Sequence, residues 1–276
     1  MKTKTLLIAA ATLAVGVISS QAQVYSQNIV GYINAPTLAN KFTMCANQLI
    51  TGTDANKTNC NIQAVLGTNA WTSDPNGLNN TTVYIWDTGI HNWKNYYFYT
   101  SDDAVNGQGY DDQGNGWYDG VGVLSTATLP PGVGYFIKDY SGSNKTNTLV
   151  GSVVTGTNVY TINQGFATFS VIQPLSTNFT SSVIGLVGTS DANGLNNTAY
   201  YHWNGVNNWD TFYYYTQDDA VNGQGYTDYG TDGWYSGDGS IFLANSPAYW
   251  PKVGEGFFIR QVVATPLLYT NSFIIQ

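Results

Sequence analysis

The sequence predicts an all-β protein built as two tandem homologous modules, each a β-sandwich or short barrel, packed against each other. Three observations carry this. Charged residues are only 9% of the 276, and Glu255 is the sole glutamate, which excludes coiled coils and long amphipathic helices. Aromatic residues reach 14%, enough to build cores and to argue against disorder. Long stretches also recur in the same order: Asp74-Pro-Asn-Gly-Leu-Asn-Asn-Thr returns as Asp191-Ala-Asn-Gly-Leu-Asn-Asn-Thr, and the nine residues from Asp102 to Tyr110 return unchanged from Asp218 to Tyr226. Trp86 pairs with Trp203, Trp93 with Trp209, and Gly116-Trp-Tyr118 with Gly233-Trp-Tyr235.

In chain order, Lys2 and Lys4 precede an apolar run over 6–18 that is too short to span a bilayer, and Ser20-Gln-Ala22 offers small residues for cleavage after Ala22. Residues 1–22 therefore read as a signal peptide, with module 1 at 23–154 and module 2 at 155–276. Short runs rich in β-branched and aromatic residues, bounded by Asn, Gly, Asp or Pro, predict strands at 29–34, 42–46, 82–86, 96–100, 134–138 and 149–154. The second half repeats them at 166–172, 199–203, 211–216, 256–262 and 272–275. Segments 62–66 and 182–186 each fit a single helical turn. Cys45 and Cys60, in an exported chain, are expected to form a disulfide closing a loop of about 15 residues, worth roughly 3 kcal/mol. Separate burial as two small apolar side chains is the alternative.

The order of Phe42 to Leu49, then Tyr84-x-Trp86, then Pro131-Gly-x-Gly-Tyr-Phe-Ile137 repeats as Phe166 to Leu175, Tyr201-x-Trp203 and Val253 to Ile259. This pattern resembles the duplicated β-modules of secreted bacterial proteins of verrucomicrobial type. The resemblance covers nearly all of the chain after residue 22 and implies export and β architecture. It brings no activity and no catalytic residues. Val253 departs from it, standing where Pro131 would match.

Ten of the sixteen aspartates fall in two matched loops. Asp102, Asp103, Asp111, Asn115 and Asp119 in the first, and Asp218, Asp219, Asp228, Asp232 and Asp238 in the second, supply the oxygen ligands that Ca²⁺ takes on Gly-rich turns. Gly122 and Gly239 stand where an EF-hand needs its bidentate Glu, so an EF-hand is excluded. The same residue types are also the strongest turn formers, and hydrated turns are the alternative account of them. Strand alternation places Tyr97 and Tyr99, and Tyr213 and Tyr215, on an all-tyrosine face. With Trp117 and Trp234 inside the acidic loops, these rings make candidate stacking platforms for sugars.

Catalytic patterns are missing. The two histidines, His91 and His202, occupy different repeat positions, and no GxSxG elbow is present. A net charge of −8 gives no footprint for nucleic acid or anionic membrane. The expectation is a secreted or cell-surface, non-catalytic binding protein for an extracellular polysaccharide or cell-surface component. One alternative is a self-associating structural subunit whose apolar end, 272–276, pairs with a sheet edge. The other is a polysaccharide-cleaving enzyme.

Overall fold

The computed structural model describes residues 30–51, 60–68, 70–172 and 186–273. The expected signal peptide, the helical turn at 182–185 and the last three residues lie outside them. The first half contains β1 (Val30–Thr37), β2 (Phe42–Ala46), β3 (Leu49–Ile50), α1 (Ile62–Leu66), β4 (Thr82–Asp87), β5 (Asn92–Tyr99), β6 (Gly116–Tyr118), β7 (Gly134–Lys138) and β8 (Lys145–Val153). The second half contributes β9 (Gly156–Ile162), β10 (Gly165–Ser170), β11 (Ala199–Trp203), β12 (Trp209–Tyr215), β13 (Gly233–Ser236), β14 (Gly256–Gln261) and β15 (Leu267–Phe273).

All strand pairings are antiparallel. They form a five-stranded sheet in the order β2-β7-β4-β5-β6 and a second five-stranded sheet in the equivalent order β10-β14-β11-β12-β13. A three-stranded sheet, β1-β8-β3, and a two-stranded sheet, β15-β9, complete the fold. None of these sheets closes on itself, so the barrel alternative does not hold. Four strands exceed expectation, among them the two-residue β3. Strands β6 and β13 run inside the acidic loops, and β9 was not anticipated because its threonines and asparagines blur the apolar pattern.

Alternation explains what each sheet buries. In β1, Ile33 and Ala35 point inward while Tyr32 and Asn34 are exposed. In β7, Tyr135 and Ile137 enter a core shared with Ile33, Leu49, Val83, Trp117 and Leu149, which lies between the three-stranded and five-stranded sheets. The helix α1 caps one side: Asn61 Oδ1 accepts the Gln63 N–H at 2.8 Å, and Gly67 at φ 69° ends the turn. The second half has its own core around Ile162, Tyr200, Trp234, Phe257 and Ile259.

The opposite faces of the five-stranded sheets meet each other. There Met44, Phe136 and Phe258 are buried among half-exposed rings from both sheets. The contacts come in reciprocal pairs. Ala46 N–H donates to Gly254 O and Ser170 N–H to Gly132 O, each at 2.9 Å. The Trp86 indole N–H donates to Phe166 O at 2.8 Å, and that of Trp203 to Phe42 O at 3.0 Å. At the centre Gly134 and Gly256 oppose each other so closely that a Cβ on Gly256 would stand 2.9 Å from Gly134 Cα.

Candidate functional site

Each acidic loop leaves the end of a long strand through one π-helical turn, Asp103–Gly107 and Asp219–Gly223. Its carboxylates close the loop on itself. Asp103 accepts the Ser73 hydroxyl and Asp219 that of Ser190. Asp102 holds Asn106, and Asp218 holds Asn222, at 2.7 Å each. Asn115 and Asp232 accept the N–H groups of Ser101 and Gln217 at 2.8 Å each. Asp119 takes the N–H groups of Val121 and Val123 at 3.0 Å each. Asp228 takes Gly230 N–H at 2.7 Å. Asp238 takes the Ser236 and Ser240 hydroxyls and the Ser240 N–H, which lowers its pKa to about 2, the Ser236 contact being the largest cause. Asp111 points to solvent. Among the described residues, no group of three or more His, Cys, Asp or Glu side chains gathers closely enough to hold a metal ion.

Four of the six aromatic residues expected to bind ligand are interior. Trp117 and Trp234 are 0% exposed. In a three-residue strand flanked by Gly116 and Tyr118, alternation turns Trp117 into the core, against Trp71 and Phe98, with its indole N–H on Gly67 O at 3.1 Å. Tyr99 and Tyr215 are buried beneath the π-turns, edge-on to Tyr110 and Tyr118, and to Tyr226 and Tyr235. Burial pushes the Tyr99 hydroxyl up to about 12. Only Tyr97 and Tyr213 remain half-exposed. The tyrosine face is therefore a second small core under each loop, fixed where Tyr110 and Tyr226 lie on Gly122 and Gly239, whose φ of 85° and 71° and lack of a Cβ admit the rings. The disulfide is also corrected: Cys45 and Cys60 are both buried and free, each Sγ set 3.7 Å from a backbone carbonyl. Burial raises the Cys45 thiol to about 12.

One hollow lies beside the first loop. Strand β6 pairs only with Tyr97, Phe98 and Tyr99, so β5 has no strand partner on that side from Asn92 to Tyr96. Trp93, Lys94, Asn95, Tyr96 and Tyr97 form one wall of a groove of about 760 Å³, and Asp119 with residues 123–128 forms the other. A neighbouring hollow of about 340 Å³ adds Trp86, Asp87 and Thr88 and shares Lys94 and Tyr96. Lys94 Nζ sits 2.5 Å from Asp87, on the floor between them.

In the second half the ring that matches Tyr96, Phe212, is buried. The offset between matched residues grows from 117 at Trp117 and Trp234 to 122 at Gly132 and Gly254, an insertion of five. The insertion folds as two 3₁₀ turns, Leu243–Asn245 and Pro247–Tyr249. Tyr249 lies on Phe212 at 5.1 Å and on His202 at 6.4 Å, the residues that match Tyr96 and Ile85. The Tyr200 hydroxyl holds Tyr249 O at 2.9 Å. Beneath this plug His202 lies with Nε2 3.0 Å from Glu255 and Nδ1 3.6 Å from Asp210. The matched positions Ile85, Val133 and Lys94 carry no such cluster.

A third hollow, of about 600 Å³, opens between the two five-stranded sheets. Its ten lining residues are five repeat-matched pairs: Phe42 and Phe166, Tyr84 and Tyr201, Trp86 and Trp203, Trp93 and Trp209, Phe136 and Phe258. Phe136 packs edge-on against Trp203 at 5.2 Å, and Phe258 against Trp86 at 5.8 Å. The two-residue spacing of Tyr84 and Trp86, and of Tyr201 and Trp203, was the sequence signal that each pair shares one face of its sheet. No protein-family model, curated protein or solved structure matches the chain.

Proposed function

We propose that the protein is an exported, non-catalytic carbohydrate-binding protein of two tandem homologous modules, which holds glycan in the groove along β5. The observation that carries this reading is the difference between the halves: the groove at Lys94, Tyr96 and Asp119 is open, while its counterpart is filled by Tyr249. Ring faces suit the apolar faces of sugars, and Asn95, Asp119, Lys94 and Thr128 supply acceptors and donors for hydroxyls. The equivalent order of the five-stranded sheets supports the tandem arrangement. The resemblance to secreted bacterial modules supports export. In this reading the aspartates shape the loops, and Asp119 alone of them reaches the ligand. Screening the full chain on a glycan array, beside Tyr96→Ala and Lys94→Ala, tests it. Saturable binding by the parent that both variants lose is the expected result, and no retained glycan would sink the reading.

A second reading, self-association, is favoured by β1, an edge strand whose outer face exposes Val30 and Tyr32, with Val150 opposite Tyr32. Of the end expected to pair with a free edge, Ser272 and Phe273 already pair with β9 as the last residues of β15, and 274–276 lie outside the described residues. Chromatography at rising concentration separates the two readings: a constant monomer removes this one.

A further inference from the structure

We propose that the cleft between the two five-stranded sheets binds an apolar carboxylate, a ligand with an aliphatic or aromatic body and one anionic group. A volume of about 600 Å³ falls within the range of small-molecule sites. The walls are aromatic throughout, and two of the four indole N–H groups are already committed to backbone carbonyls. A sugar placed there would leave most of its hydroxyls unpaired, at a cost of about 1–3 kcal/mol each. The cleft therefore selects a different chemistry from the groove.

The anion follows from the basic residues. The chain has nine Lys and Arg against seventeen acids, and the position shared by Lys138 and Arg260 is the one place where both halves carry a basic residue. Alternation sets Lys138 on the face of Phe136, and Arg260 on the face of Phe258. Lys138 Nζ lies 4.5 Å from the centroid of Tyr140 and 5.2 Å from that of Phe42, and the Arg260 guanidinium 5.6 Å from that of Phe166, so each cation stands beside an outer ring of the cleft. Among the described residues neither is paired with a carboxylate, whereas Lys94 and Lys145 are held by Asp87 and Asp139. Phe166, 40% exposed, marks an entrance. An apolar body can enter past that ring while its carboxylate stays at the rim on either cation.

The test uses the full chain, with intrinsic tryptophan fluorescence as the readout because Trp86, Trp93, Trp203 and Trp209 line the cleft. Probes are dodecanoate and 2-naphthoate, below any micellar concentration, beside dodecanol and 2-naphthol. At least one carboxylate should bind saturably and roughly tenfold or more tightly than its alcohol, the margin of a charge-assisted contact. The double variant Lys138→Gln/Arg260→Gln should bind acid and alcohol alike. Phe166→Glu, at a rim ring 40% exposed and with its melting temperature measured beside the parent's, should abolish binding of the carboxylate. The proposal is overturned if neither carboxylate binds, if the alcohols bind as tightly, if the double variant keeps the preference, or if Phe166→Glu binds as the parent does.

Discussion

Replacing Gly256 by alanine measures how rigidly the two halves are joined. The added Cβ would stand 2.7 Å from Cys45 O and 2.9 Å from Gly134 Cα. Both are backbone atoms, so no side chain can swing aside. Ordinary contact lies near 3.4 Å, and the sheets must separate by about 0.7 Å. The separation strains the 2.9 Å bond from Ala46 N–H to Gly254 O and loosens the edge-on ring contacts around Phe136 and Phe258. Overpacking of this kind costs about 1–3 kcal/mol. At a urea slope of about 2–3 kcal/mol per molar, the unfolding midpoint should fall by roughly 0.5–1 M. Gly142→Ala, where nothing lies within 4 Å, is the control. Gly134→Ala/Gly256→Ala should cost less than the sum of its parts, because both methyl groups force open one gap. If Gly256→Ala unfolds at the same urea concentration as Gly142→Ala, the close contact is not rigid and the reasoning fails.

Three further outcomes are expected. Tyr249→Ala uncovers Phe212 and His202 and should raise the glycan stoichiometry measured by calorimetry from one towards two; an unchanged value means the plug is not what closes the second groove. The folded-state pKa of Asp238 is depressed to about 2, so its contribution is present above the unfolded value near 4 and is lost as pH falls through the folded one. Thermal melts between pH 5 and pH 2 should therefore decline less steeply for Asp238→Asn than for the parent, and parallel curves would exclude the effect. Cys45 and Cys60, buried and unpaired, should be silent to a thiol reagent at pH 8 until denaturant is added, and a reductant should leave the melting temperature unchanged.

Much of the fold was legible because it rests on local patterns. Period-two alternation announced the all-β character and most strands, and the repeated sequence is accompanied by two five-stranded sheets of equivalent order. What stayed hidden depends on direction. Asp, Asn and Gly in a loop are equally suited to a cation or to turn closure, and only the orientation of Asp103 toward Ser73 or Asp119 toward Val121 and Val123 separates the two. Trp117 looked like a loop residue because a three-residue strand gives no readable period. Fifteen residues between two cysteines fix a loop length but not which way either thiol faces. The five-residue insertion was visible in the offsets, yet that it lands on Phe212 follows from the register of β12 with β13, a contact no local signal encodes.

The reciprocal tryptophan bonds, Trp86 to Phe166 O and Trp203 to Phe42 O, make each half the acceptor for the other, the geometry of an isologous dimer carried on a single chain. A dimer of two identical chains would be obliged to display each surface twice. Joining the partners covalently removes that obligation while keeping the shared interface at high effective concentration. One half has accordingly been free to fill its groove with Tyr249, and the other to leave Tyr96 facing water: a symmetric frame carrying an asymmetric surface.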